Sequence, residues 1–171
     1  PALAAPAVDV GANRAPIVPD TTPVAAGLVD LPYMRRPLAA LRRDFLEFPL
    51  AANALVSVVM TTYDTEQFVR AAAESILAQT HRNLELIVVD DCSTDGTRAI
   101  VSELAARDPR VKLVSFGVNR GTYWCKNFGI TQARGAAITF MDSDDVSEPE
   151  RIAKQLALLR EAGTAVTTCL H

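Results

Sequence analysis

Three short stretches rich in carboxylates and hydroxyls carry the chemistry this sequence can offer, and each follows an apolar run. They are Met60-Thr-Thr-Tyr-Asp64, Asp90-Asp-Cys-Ser-Thr-Asp-Gly96 and Met141-Asp-Ser-Asp-Asp145. The last places Asp142, Asp144 and Asp145 within four residues. Such packing is unfavourable until a cation or hydrogen-bond donors neutralise it. Carboxylates are hard oxygen ligands suited to Mg2+ or Mn2+, cations whose coordination is often completed by substrate phosphates. Asp91, directly after an apolar strand, can accept a hydrogen bond from a nucleobase or ribose. Thr61 and Tyr63 can supply a hydroxyl and an aromatic face to the same nucleotide, and Lys126 can offset diphosphate charge. Each feature has a plain structural alternative. Asp142–Asp145 could be a solvated turn leading into the helix at Pro149, and Ser93, Thr94 and Asp95 could cap the helix after them. Convergence of three such ends on one rim is what points to a site.

The elements that must position these residues are legible from periodicity. Residues 56–60, 84–89, 111–116 and 137–141 are short apolar runs of strand length. Between them lie helical patterns over 66–79, 97–107, 123–133 and 149–162. The first carries a stripe of Phe68, Ala72, Ile76 and Gln79, and the last places Pro149 in its first turn. Residues 164–169 are expected to begin a fifth strand. Four alternations of strand and helix predict an α/β fold, a mostly parallel sheet with helices on both faces. Ligands in such sheets bind beyond the carboxyl ends of the strands.

Composition excludes several classes. A net charge of −3 and a pI near 5.4 argue against nucleic acid as a partner, since phosphate backbones recruit clustered Lys and Arg. No uncharged apolar run reaches the length needed to span a bilayer, so no membrane segment is expected in this sequence. Cys92, Cys125 and Cys169 are odd in number and widely spaced, which reads as reduced thiols and a cytoplasmic location. Residues 1–50 hold eight of the ten prolines and read as a Pro/Ala-rich linker, with a short amphipathic helix at 38–48. Residues 51–171 form the functional part. The chain opens at Pro1 without Met and closes at His171, and is read as a fragment of a longer polypeptide.

These motifs together resemble family 2 glycosyltransferases. The resemblance rests on Val56-Ser-Val-Val-Met-Thr-Thr-Tyr-Asp64, Gln79-Thr80 and Glu85-Leu-Ile-Val-Val-Asp-Asp-Cys-Ser-Thr-Asp-Gly-Thr97. Asn119-Arg-Gly121, Lys126-Asn-Phe-Gly-Ile130, Ala133-Arg-Gly135 and Phe140-Met-Asp-Ser-Asp-Asp145 complete it. It covers about residues 55–160 and is most similar to the bacterial polysaccharide branch. The resemblance implies a GT-A fold (a Rossmann-like sheet) truncated before its acceptor half, a nucleotide-diphosphate sugar as donor, and Mn2+ or Mg2+ as cofactor. It implies that Thr61, Tyr63 and Asp91 hold the nucleoside and that Asp142 and Asp144 touch ribose or diphosphate. It implies that the metal ligand lies in the pair Asp144 and Asp145, between which the resemblance does not choose. It further implies an inverting transfer to a saccharide or other hydroxyl acceptor, with the catalytic base beyond His171. Departures from the family pattern are Thr62 where proline is common, Asp64 where asparagine is, and Lys126 in place of an arginine. A lysine offers a point charge where arginine offers a bidentate fork.

Two other readings compete. One is a non-catalytic binding or interaction module with the proline-rich arm docking elsewhere. The other takes Phe140-Met-Asp-Ser-Asp-Asp-Val146 as a haloacid-dehalogenase-like phosphatase motif with Asp142 as nucleophile. There the motif follows the first strand, whereas here it follows the fourth. A dinucleotide oxidoreductase is disfavoured because no Gly-x-Gly-x-x-Gly follows the first strand.

Overall fold

The computed structural model describes Ile17–Val18 and residues 50–162. The expected helix at 38–48, the expected strand at 164–169 and most of the 1–50 linker lie outside the described residues. The element order is β1 (Ile17–Val18), β2 (Val56–Thr62), α1 (Val69–Leu77), β3 (Leu84–Asp90), α2 (Thr97–Arg107), β4 (Val111–Phe116), α3 (Thr122–Gln132), β5 (Ala137–Asp142) and α4 (Arg151–Ala162). The strands form one sheet in the order β1-β4-β3-β2-β5, and every pairing is parallel.

The sequence pattern explains the order. β2 and β3 are apolar at most positions and lie between other strands of the sheet, where all seven residues of each are buried. One face of the sheet, through Val58, Met60, Leu86, Val88 and Met141, packs on α1, α2 and α4. Val69, Ala72, Ala73 and Ile76 of α1, Val101 and Leu104 of α2, and Ile152 and Leu156 of α4 close this core. On the other face, Ile87, Val89 and Phe116 meet α3 through Cys125, Trp124 and Phe128. The Phe116 ring meets Trp124 and Phe128 edge-on, at 4.7 and 5.0 Å, an arrangement favoured by ring quadrupoles. Gly129 lets α3 lie close to the sheet, because a Cβ there would collide with the Val59 side chain.

Two expectations about the helices need correction. Phe68 precedes α1 and is half exposed, so it is not on the buried stripe, and Gln79 lies past the end of the helix. Pro149 stands before α4, its carbonyl accepting the Thr80 backbone N–H at 2.8 Å and the Thr80 hydroxyl at 3.1 Å.

At the opposite end of the sheet from the acidic stretches, the buried Glu85 ties four segments together. Its carboxylate accepts from Ser57 Oγ at 2.7 Å, Lys112 Nζ at 2.8 Å, and the Arg134 backbone N–H and Nε at 2.8 and 3.0 Å. Burial alone pushes this carboxyl up, but the hydrogen bonds from Lys112, Ser57 and Arg134 outweigh it and hold the group at about 2. A carboxyl depressed on folding stabilises above its unfolded value near 4.5 and loses that contribution as pH falls through 4.5 towards 2. The shift corresponds to roughly 3 kcal/mol. Urea unfolding across that acid range should therefore show a steep loss of stability. Glu85→Gln should flatten that limb and destabilise the protein at neutral pH; an unchanged acid limb would contradict the assignment.

Candidate functional site

The carboxyl ends of β2, β3 and β5 meet at one rim because their parallel registers run to their last residues. Thr61 pairs across to Asp142 on one side and Val89 on the other, and Thr62 pairs with Asp90. Asp90 is fully buried, with its Oδ2 at 3.0 Å from Arg98 Nη2 and 3.1 Å from Nε. Its Oδ1 accepts from the Thr62 hydroxyl and the Ser93 N–H, both at 3.4 Å. A buried carboxylate needs this company to remain charged. Asp90 is thus an internal anchor, and the chain is free to present the next residue to the rim.

Asp91 is 4% exposed. Its backbone N–H donates to the Thr62 carbonyl at 2.8 Å, locking β3 to β2. Its two carboxylate oxygens accept the N–H groups of Arg120 and Gly121, each at 2.7 Å. Gly121, at φ +88, precedes α3, so the carboxylate sits at the positive end of that helix. Glycine is the residue that adopts such a φ without strain.

The loops after β2 and β3 are laced together. Asp64 Oδ1 accepts the Thr94 N–H at 2.7 Å, the Asp64 N–H donates to Ser93 Oγ at 3.0 Å, and the Glu66 N–H donates to Asp95 Oδ2 at 3.0 Å. Glu66 Oε2 in turn accepts the Gly96 N–H at 2.8 Å, and Asp95 Oδ1 accepts that of Thr97 at 2.9 Å. These polar residues are structural staples between the two loops, whereas the N-cap of α2 is Gly96, not Ser93, Thr94 or Asp95, and no side-chain cap hydrogen bond forms there. The turn needs left-handed backbone at Asp64 (φ +50), which aspartate tolerates, and at Cys92 (φ +68), which cysteine tolerates poorly. Tyr63 lies just past β2 and is half exposed.

Asp142 ends β5 with an exposed carboxylate whose Oδ1 accepts from Lys126 Nζ at 3.0 Å. Lys126 reaches the rim from α3, its ammonium 5.8 Å from the centre of the Phe140 ring. Asp144 and Asp145 are exposed in the turn beyond, where the Asp145 N–H donates to the Asp142 carbonyl at 3.4 Å. Among the described residues no group of three or more His, Cys, Asp or Glu is gathered so that it could hold a metal ion by protein ligands alone.

Of the residues singled out in the sequence, Thr61, Asp91, Lys126 and Asp142 therefore lie on the ends or flanks of adjacent elements. Tyr63, Asp144 and Asp145 follow them in exposed turns. Sequence reasoning placed Gln79 on the helical stripe and in the Gln79-Thr80 motif but gave it no role in the site. This fully buried amide donates to the Glu148 carbonyl at 2.6 Å and to Ser147 Oγ at 3.1 Å, while its Oε1 accepts the Ile152 N–H at 3.0 Å. It pins the segment after the acidic turn to the end of α1. A polar residue at the end of an apolar helical stripe was the available signal.

Comparison with known proteins places the chain in a family. Residues 57–170 match the family model for glycosyl transferase family 2, so the chain belongs to that family. Its relatives include bacterial polysaccharide glycosyltransferases. One relative, the succinoglycan biosynthesis protein ExoO of Rhizobium meliloti, is 40% identical over 111 residues, covering 65% of this chain and 31% of ExoO. The chain spans less than half the length of the curated relatives it matches first. Among solved structures, TarS 1–349 of S. aureus in complex with UDP-GlcNAc superposes with a TM-score of 0.58 at 32% identity, covering 62% of this chain and 31% of that one. The mannosyltransferase PcManGT of Pyrobaculum calidifontis, solved with GDP-Man and Mn2+, gives 0.60 at 24% identity, covering 71% and 39%. The fold is that of the GT-A glycosyltransferases. Family membership displaces the phosphatase reading of Asp142.

Replacing Gln79 by Ala should cost about 2–3 kcal/mol, since buried partners lose their hydrogen bonds, and thermal or denaturant unfolding reads this directly. Cys92→Gly should raise stability by about 0.5–1 kcal/mol through relief of left-handed backbone; a fall in the unfolding midpoint would show that the thiol contributes more than the strain it carries.

Proposed function

We propose that this chain is the nucleotide-sugar-binding part of an inverting glycosyltransferase that moves a sugar from a nucleoside diphosphate to an acceptor hydroxyl. One observation carries the reading: three parallel strands deliver Thr61, Asp91 and Asp142 to a common rim that Lys126 also reaches. The UDP-GlcNAc and GDP-Man held by the two structural neighbours support the ligand class.

In this reading the exposed Tyr63 ring offers a face to the base, and Thr61 and Asp91 offer hydrogen-bonding groups to base or ribose. Asp142 and Asp144 meet ribose or diphosphate, and Lys126 contributes positive charge beside the pyrophosphate. Lys126 already neutralises Asp142, so it reaches that region as an ion pair rather than as an isolated cation.

The donor set fits Mn2+ or Mg2+. Asp144 and Asp145 are exposed oxygen donors in one turn, and among the described residues too few protein ligands surround them for a resident cage. A cation of this kind would complete its shell with diphosphate oxygens. When bound it supplies Lewis-acid stabilisation of the departing nucleoside diphosphate. A general base for the acceptor belongs, on this proposal, to the part of the family's domain that this chain does not span. No helix among the described residues is long and apolar enough to cross a membrane. Cys92 and Cys125 are free thiols, which fits a reducing, cytoplasmic setting.

Calorimetry with UDP and with GDP, in Mn2+ and in EDTA, tests the proposal. Binding of at least one nucleotide should require the metal. Asp144→Asn combined with Asp145→Asn should weaken it by at least about tenfold, the loss of one charge-assisted contact. Equal affinity in EDTA would remove the metal from the proposal, and no binding of either nucleotide would remove the proposal itself. Sugar transfer by the isolated chain should be absent or weak.

A further inference from the structure

We infer that Arg98 is a positioning residue for Asp91, its guanidinium bracketing the turn that carries this acid by holding Asp90 before it and the Ser93 carbonyl after it. The inference deepens the nucleotide-binding reading above and rests on it for its functional consequence. Arg98 stands in the first turn of α2, where the helix dipole disfavours a cation and no acidic residue of that turn offsets it. Its contacts account for the placement. Nη2 and Nε lie 3.0 and 3.1 Å from Asp90 Oδ2, and Nη2 also reaches the Ser93 carbonyl at 3.4 Å. Asp91 and Cys92 are the two residues enclosed between those contacts.

Asp90 depends on this arginine more than on its other neighbours. The Thr62 hydroxyl and the Ser93 N–H stand at 3.4 Å from its Oδ1, beyond the usual hydrogen-bond range. Ser115, its register partner on β4, is fully buried, and the Ser115 hydroxyl has no hydrogen-bond partner among the described residues. The short contacts of this buried carboxylate are those of Arg98. The turn needs such a restraint, because Cys92 at φ +68 holds a left-handed backbone that a residue with a Cβ adopts at a cost. Relaxation there would draw the Asp91 carboxylate away from the amides of Arg120 and Gly121, which it now accepts at 2.7 Å each. A guanidinium serves a carboxylate and a carbonyl at once through separate N–H groups, whereas an ammonium is a point charge on a flexible stem. Lysine would keep the charge for Asp90 and lose the bracket.

The test compares Arg98→Lys with Arg110→Met in the same chain, with two readouts. Lysine is the informative replacement at 98, because an uncharged side chain would leave a buried carboxylate unpaired. Arg110 pairs with Asp108 and the Leu77 carbonyl just before β4, at the end of the sheet away from the rim, so its loss reports general destabilisation. Without nucleotide, amide hydrogen exchange at Arg120 and Gly121 shows how firmly Asp91 holds them. It should quicken in Arg98→Lys by about three- to tenfold, the loss of one hydrogen bond, and stay near wild type in Arg110→Met. With UDP or GDP and Mn2+, affinity should fall by a similar factor in Arg98→Lys and hold in Arg110→Met. Unchanged exchange in Arg98→Lys would overturn the inference, as would equal quickening in both variants, which would indicate loosening of the whole fold. If wild type binds no nucleotide while the exchange pattern holds, the functional reading fails and the positioning role stands.

Discussion

The parallel register of β5 and β3 against β2 is the constraint on which the rest of the site depends. Residues with no sequence proximity become neighbours because three strands end at one level: Thr61 beside Asp142, Thr62 beside Asp90. A slip of one residue would turn each side chain to the opposite face of the sheet. Such a slip would bury Asp142 against the helices and expose apolar groups. The apolar core enforces the register, since Val58, Met60, Leu86, Val88 and Met141 all belong to one face. The acids at the rim are thus placed by hydrophobic burial some distance beneath them.

Polar interactions then set detail that burial cannot. Glu85 secures the lower end of the sheet, Asp90 with Arg98 the upper end, and Gln79 the approach to α4. Each is a buried group that joins its own element to a neighbouring one. A group of this kind costs heavily when one partner is lost. They act mainly as specificity devices, making one arrangement of the loops much better than its alternatives. Asp91 differs in its setting, because it is held by backbone amides at a helix start while lying next to the rim.

The described residues also show a division of labour among the acids. Asp90 is fully buried and internally neutralised, Asp91 is buried and cradled, and Asp142 is exposed but ion-paired with Lys126. Asp144 and Asp145 are exposed beyond the strand. This gradient from interior to solvent suits a surface that meets a charged ligand. On the proposed reading, the inner acids are fixed in advance and the outer ones adapt to a ligand and its counter-ion. The chain's membership in glycosyl transferase family 2 and its GT-A fold are what the proposed ligand class rests on.

The sequence by itself determined the alternation of strands and helices and the acidic character of three strand ends. Those features depend on local periodicity and on neighbours along the chain. It also carried the family resemblance through Asp90-Asp91 and Asp142-Ser-Asp-Asp145. It misplaced Phe68 and Pro149, because helix ends are decided by capping and by contacts such as that of Thr80 with Pro149. Three-dimensional packing alone makes Gln79 a clamp, sets Lys126 against Asp142, and brings the amides of Arg120 and Gly121 onto Asp91. Each of those pairings spans 16 to 73 residues of chain. Strand order and register create such proximities, and no local pattern encodes them.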